Sequence, residues 1–298
     1  MARLGIKDLP NPKIGFQPSR DTRRADGKVK FETVRNGRDE DAARARLMRK
    51  AIKKHSNKFY RSVVMDLKRR MVEGSKTGVP HASLASSLNM RMWRAVIIGN
   101  LWPLVEDDDL APAVTATLIP RGLWVSASKL KNANPQAMMR RLRSDCDRTG
   151  IAQAKGYLFA GLHAEFDVRR EGYDFHYHVV AGGEKAEAIE NLRSMPKYSA
   201  LRTEPCEKGL PNRPRVRKSR IPLYNMPDPL TYVLQSSYPH RPTKVHADGS
   251  VTRSKRRYRI PEPYHTQWLL WMDRWTISDM LLLVGLNVTT RGFELNQR

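Results

Sequence analysis

The chain has 298 residues with 54 Lys and Arg against 30 Asp and Glu, a formal charge of +24 at pH 7. Hydrophobic residues make up 40%, which excludes a chain disordered throughout, and the charge points to a polyanionic partner, nucleic acid ahead of an acidic membrane surface. Two cysteines, Cys146 and Cys206, exclude a disulfide framework and a four-thiolate zinc site and suit a reducing compartment.

Residues 1–38 are polar, basic and broken by Pro and Gly, and are expected to form a loosely ordered arm. The start lacks the apolar run of a secretory signal. Residues 39–110 read as a helical region: a helix from Asp41 to Val72 with one face crowded by Arg and Lys, then a second apolar stretch from Met90 to Val105. The basic face is either solvated or a phosphate contact. Residues 111–245 show a more regular order. Ala113 to Ile119 alternate like a strand, and Asn134-Pro135 to Gly150 read as a capped helix. "GYLFAGLHAEFDV" and "DFHYHVVAG" read as two strands of a hairpin, "EKAEAIENLRSM" as a helix, and Asp228-Pro229 starts a short helix that ends before Pro239. In residues 246–298, Asp248-Gly249 marks a second hairpin. Trp268, Trp271 and Trp275 form one stripe of a helix continued by Leu281 to Val284, read as core or oligomer contact ahead of a base-stacking platform. Asp273, Arg274 and Asp279 interrupt that apolar segment, so no span of about twenty apolar residues crosses a membrane, and a cytoplasmic location is expected. This order predicts an α+β fold with a central antiparallel sheet and flanking helices.

His176 and His178, two apart in a strand, project from one face. If the turn is Arg169 to Gly172, Glu165 stands opposite His176 and His163 opposite His178. If it is Glu171-Gly172, Asp167 and Glu165 take those places. Either even loop keeps Glu165 on the histidine face. Two imidazoles and a carboxylate with open positions suit a catalytic divalent ion, Mg²⁺ or Mn²⁺, and the plainer reading is two ordinary core or surface histidines. Beside a basic surface, such an ion points to phosphodiester chemistry. A tyrosine can act as its covalent nucleophile. Tyr232, in the first turn of the short helix, is the first candidate, with core packing as the alternative, and Tyr238, before Pro239, is the second.

In order along the chain stand "VTATLIP", "GLHAEFD" with "FHYHVV", and "YVLQSSY". This layout resembles the HUH endonucleases, most closely the rolling-circle replication initiators, over about Ala111 to Pro239. Val114 to Thr117 match the first motif, His176-Tyr177-His178 the second and Tyr232 the third. The resemblance implies a sheet carrying the metal, with the tyrosine helix lying over it. It also implies attack on single-stranded or extruded origin DNA, giving a 5′-phosphotyrosine and a free 3′-hydroxyl, in a plasmid- or phage-borne bacterial protein. Where these initiators carry a lysine three residues after the tyrosine, this chain has Gln235. A glutamine there serves as a metal ligand in related transposases, so Gln235 joins the expected metal shell, with "RVRKSR" as a source of the missing charge. No phosphate-loop pattern is present, so strand separation would fall to a host helicase or to supercoiling.

Two basic runs flank this region. Arg213, Arg215, Arg217, Lys218 and Arg220 precede the tyrosine helix, and Arg253, Lys255, Arg256, Arg257 and Arg259 follow it. Both are expected to contact DNA phosphates, with solvated charge as the alternative. The competing expectations are a transposase or mobilisation relaxase on the same core, a non-catalytic DNA-binding replication-control protein, and a small-substrate metallohydrolase.

Overall fold

The computed structural model describes residues 4–11, 31–54, 58–199, 215–219, 223, 227–235, 238–240, 242–245, 247, 251–254 and 256–296. The fold is α+β. Where one N-terminal helix was expected, there are two, α1 (Val34–Lys54) and α2 (Lys58–Thr77), packed on each other. α3 (Ser87–Val105) follows, with Ser86 as N-cap accepting from the Asn89 N–H at 3.2 Å. The buried Asp41 of α1 also serves that end, accepting from Ser86 Oγ at 2.7 Å and from the Ser87 N–H at 2.5 Å. A carboxylate at a helix N-terminus satisfies donors that have no partner within the helix. This ties α3 to α1.

The sheet is built around a long hairpin, β3 (Tyr157–Asp167) and β4 (Gly172–Gly182). β1 (Val114–Leu118) and β2 (Trp124–Ser126) share the far edge of β4, and β5 (Val216–Lys218) extends β1. On the far edge of β3 lie β6 (Pro239–His240) near one end and β10 (Leu281–Val284) near the other, and β9 (Tyr258–Arg259) pairs with β6. The expected antiparallel sheet is therefore mixed, because β6 runs parallel to β3. Leu281 to Val284, expected to prolong the tryptophan helix, form a strand instead. β7 (Thr243–Val245) pairs with β8 (Val251–Arg253), and β11 (Leu286–Thr289) with β12 (Gly292–Leu295), as separate hairpins.

Every residue of β3 is buried, as expected of a strand covered on both faces. One face packs on α4 (Pro135–Arg148) and α7 (Tyr264–Met272). Tyr177 donates its hydroxyl to the Met138 carbonyl at 2.7 Å, while Tyr173 stacks on Trp268 and Phe175 meets Trp271 edge-on. Asn134 caps α4, its Oδ1 accepting from the Ala137 N–H at 3.0 Å. Trp268 and Trp271 belong to the core. α5 (Glu184–Ala188) and a 3₁₀ turn (Ile189–Ser194) follow the hairpin.

The other face carries the histidines and is covered by α6 (Asp228–Val233). Gly161 makes this approach possible, since a Cβ there would collide with the Val233 carbonyl oxygen. Arg94 of α3 holds the end of α6, donating to the carbonyls of Leu234 and, at 3.3 Å, Thr231, while pairing with Glu32. Buried side chains from α1–α3, the sheet and the C-terminal elements join in one hydrophobic cluster.

Candidate metal centre and tyrosine site

The β3–β4 hairpin closes at Asp167↔Gly172 around the loop Val168–Glu171, one residue earlier than the longer loop expected from sequence. Asp167 sets this position. Its Oδ1 accepts from the N–H groups of Arg169 and Arg170 at 3.0 and 3.3 Å, and Oδ2 from Arg170 Nε at 3.1 Å. This is the turn chemistry of an aspartate that begins a loop. Glu171 closes the loop in the left-handed region, at φ 48°.

The even loop keeps the expected face, but the partners change. His163 stands opposite His176, Gly161 opposite His178, and Glu165 opposite Asp174. The structure therefore gathers three imidazoles. One ring nitrogen from each of His163, His176 and His178 lies within 4.8 Å of the others, and Glu165 is outside this group. His163 was read from sequence only as a residue on that face. The signal that could have promoted it was the turn-forming aspartate.

The hydrogen bonds orient the rings toward a common centre. His176 Nδ1 lies 3.0 Å from the Asp174 carbonyl, an acceptor, so Nδ1 carries the proton and Nε2 presents its lone pair. That Nε2 is 3.0 Å from His163 Nδ1. His178 Nδ1 lies 3.3 Å from Thr117 Oγ1, and its Nε2 is buried with no hydrogen-bond partner among the described residues. Thr117 is the threonine of the first motif, directly opposite His178 in the sheet. It stands where an outer partner would fix the ring of a histidine that binds a metal. Burial, then the neighbouring His176 and Arg257, push the His178 pKa well below its usual value, which keeps the ring neutral and able to donate to a cation.

Such a donor set fits a divalent ion. The group is buried or half-buried, its lone pairs converge, and an orphaned buried nitrogen is supplied with a use. All-nitrogen donors favour a transition ion over Mg²⁺, so of the two ions expected Mn²⁺ suits the cluster better. Glu165 is buried near His240, whose pKa its charge raises against a larger lowering by burial. Gln235 is also buried, and its Oε1 accepts from Arg257 Nη1 at 3.4 Å.

Tyr232 lies against this cluster. Its ring meets His178 edge-on, with 4.2 Å between centroids, yet the residue remains 39% exposed. The Arg257 guanidinium stands over the same ring, 5.6 Å from its centre. The positive charge beside the tyrosine thus comes from the second basic run, where sequence suggested the first. Tyr238 occupies a different place. It stacks on His163 at 5.1 Å and meets Trp268 at a tilt, with 4.6 Å between centroids. Burial raises its hydroxyl pKa above the usual value despite Arg44 and Arg94, so its phenolate is disfavoured.

The basic residues divide. Lys218 pairs with Glu187 at 2.8 Å, and Arg259 forms a two-armed pair with Glu40 at 2.7 Å on each arm. Arg215 reaches the Ile119 carbonyl at 3.5 Å. Arg217, Arg256 and Arg257 expose their side chains. Arg213, Arg220, Lys255 and the side chain of Arg253 lie outside the described residues, as does Cys206. Cys146 is buried, which pushes its thiol up to about 12. No helix among the described residues is long and apolar enough to cross a membrane. No family model, curated protein or solved structure matches the chain.

Proposed function

We propose that this chain is a metal-dependent nuclease of the HUH type that nicks and rejoins single-stranded DNA through Tyr232, in the manner of a rolling-circle replication initiator. The observation that carries the reading is that one residue, His178, belongs to the three-imidazole cluster and touches the exposed tyrosine. A bound divalent ion would polarise the scissile phosphate and offset its developing charge.

The chain's own groups supply the rest. Gly161 and Arg94 seat α6 so that Tyr232 faces the cluster. The Tyr232 hydroxyl gives up its proton and its oxygen bonds to phosphorus, while the bond from phosphorus to the 3′-oxygen breaks. That oxygen takes a proton, leaving a free 3′-hydroxyl and a 5′-phosphotyrosine. Arg257 stabilises the phenolate and the phosphate at this step. Exposed Arg217 and Arg256 guide the strand's backbone. Opening of a duplex origin, in a plasmid or phage replicon, would fall to a host helicase or to supercoiling.

The test incubates the protein and Mn²⁺ with a random-sequence single-stranded oligonucleotide pool and looks for a covalent adduct on a denaturing gel. An adduct that is absent with EDTA and in Tyr232→Phe supports the reading. DNA retention without any adduct would leave a DNA-binding replication-control protein. Gln235 in place of the initiators' lysine favours a second reading on the same chemistry, a transposase or mobilisation relaxase. The captured DNA site separates these two.

A further inference from the structure

A cavity of about 230 Å³ opens beside the site, where α1, the β6–β9 pair and α7 meet. Its lining includes Glu40, Tyr238, Arg257, Tyr258, Arg259 and Trp268. Two of these also border the tyrosine site: Tyr238 stacks on His163, and Arg257 stands over Tyr232. A group in the cavity and a phosphate at Tyr232 would therefore have Arg257 in common.

The chemistry of the walls narrows the occupant. At this size the cavity is smaller than the roughly 300–1,000 Å³ that takes a drug-sized ligand, so it suits a single ring system. Three aromatic rings face it, and Tyr258 is 43% exposed at its edge, where Arg256 stands 5.5 Å from the ring. Arg44 and Arg259 both pair with Glu40 inside the cavity, while Arg257 stands over Tyr232, where a phosphate of the strand would lie. Glu40 is an acceptor. The indole N–H of buried Trp268 is a donor with no hydrogen-bond partner among the described residues. An occupant with a flat ring, an amine and a ring acceptor satisfies both.

We infer that the cavity receives one nucleobase of the bound strand, next to the scissile phosphate, and that Glu40 and Trp268 select a base bearing an exocyclic amine. Thymine, which has none, is disfavoured. The inference rests on the nuclease reading for the identity of the strand, and it turns that reading into a statement about sequence preference.

The experiment measures binding of fluorescein-labelled oligo(dC) and oligo(dT) to the full chain in EDTA, so that no cleavage is needed. The wild type is expected to prefer oligo(dC) by about tenfold. Glu40→Gln and Trp268→Phe should each bring the two affinities together, and Trp268→Phe, which changes no charge, should do so without changing the salt dependence, which reports phosphate contacts. Trp268→Phe removes the N–H together with part of the indole, so unfolding curves first establish that each variant folds, and if neither does the wild-type comparison of oligo(dC) with oligo(dT) decides. Equal wild-type affinities, or a preference that survives Trp268→Phe, overturn the assignment. Equally effective competition by dCMP would reassign the cavity to a free nucleotide. The adduct assay is independent: base preference with no adduct sinks the nuclease reading alone, and an adduct with no preference sinks the cavity alone.

Discussion

The ring of His178 meets the ring of Tyr232 edge-on at 4.2 Å between centroids, while the tyrosine keeps 39% of its surface exposed. A nucleophile needs both conditions, closeness to the cluster and access for a strand. Tyr232→Phe is expected to lower adduct formation by about 10³-fold or more and to leave Mn²⁺ binding at the wild-type level. Tyr238→Phe should keep the adduct. A denaturing gel with radiolabelled DNA checks both, and an adduct formed by Tyr232→Phe would refute the assignment.

Metal binding should follow the imidazoles and not the carboxylate. His163→Ala and His178→Ala are each expected to weaken Mn²⁺ affinity by more than about 100-fold. Thr117→Val, which removes the outer partner of His178, should cost about 10- to 100-fold, and Glu165→Gln less than about tenfold. Isothermal titration measures all four. A Glu165→Gln loss as large as that of His163→Ala would restore the carboxylate as a ligand.

Arg257 stands where a cation can balance charge on Tyr232. Arg257→Gln should slow adduct formation by about 10- to 100-fold, with partial recovery in Arg257→Lys. Single-turnover kinetics at saturating DNA separate this from weaker binding. An unchanged rate would make Arg257 a binding residue only.

Arg94 is buried and holds two carbonyls at the end of α6. Arg94→Ala leaves those carbonyls and Glu32 without it, and is expected to destabilise the fold by about 3 kcal/mol. Urea unfolding gives the loss directly. Adduct formation at low temperature, where the variant is folded, should also fall, because Tyr232 is no longer held.

Glu40 gives a pH signature. Burial pushes its carboxyl up, but the hydrogen bonds and charges of Arg259 and Arg44 prevail and bring it from 4.5 down to about 2. A carboxyl that titrates lower in the folded chain stabilises it fully above about pH 4.5, and the stabilisation disappears as pH falls through about 2. Its size is about 2–3 kcal/mol after allowance for the partly exposed Arg259. Unfolding of wild type and Glu40→Gln across this range should show curves that converge toward low pH. Parallel curves would refute the pairing.

Much of the architecture was legible in the sequence for physical reasons. Asn134-Pro135 carries its own cap, and "FHYHVV" declares a strand by alternation, so α4 and the long hairpin could be placed before the fold was known. The register was not. It turned on the side chain of Asp167 choosing where the chain reverses, and a shift of one residue exchanged Glu165 for His163 opposite His176. Leu281 to Val284 show the ambiguity of a short apolar run, which suits a helix or a buried strand equally by pattern. The neighbours of Tyr232 were hidden for another reason. Arg257 and Arg94 come from distant parts of the chain, and no spacing rule connects them to α6.

The grip of Arg94 on α6 has a practical consequence for anyone trimming this chain to a compact covalent DNA tag. A fragment starting at residue 111 would keep the whole imidazole cluster and Tyr232, yet discard the guanidinium that holds the helix down. If Tyr232 is the nucleophile proposed above, the amino-terminal third is a splint for its phenol, and a minimal tag would have to retain α3 or replace its clasp.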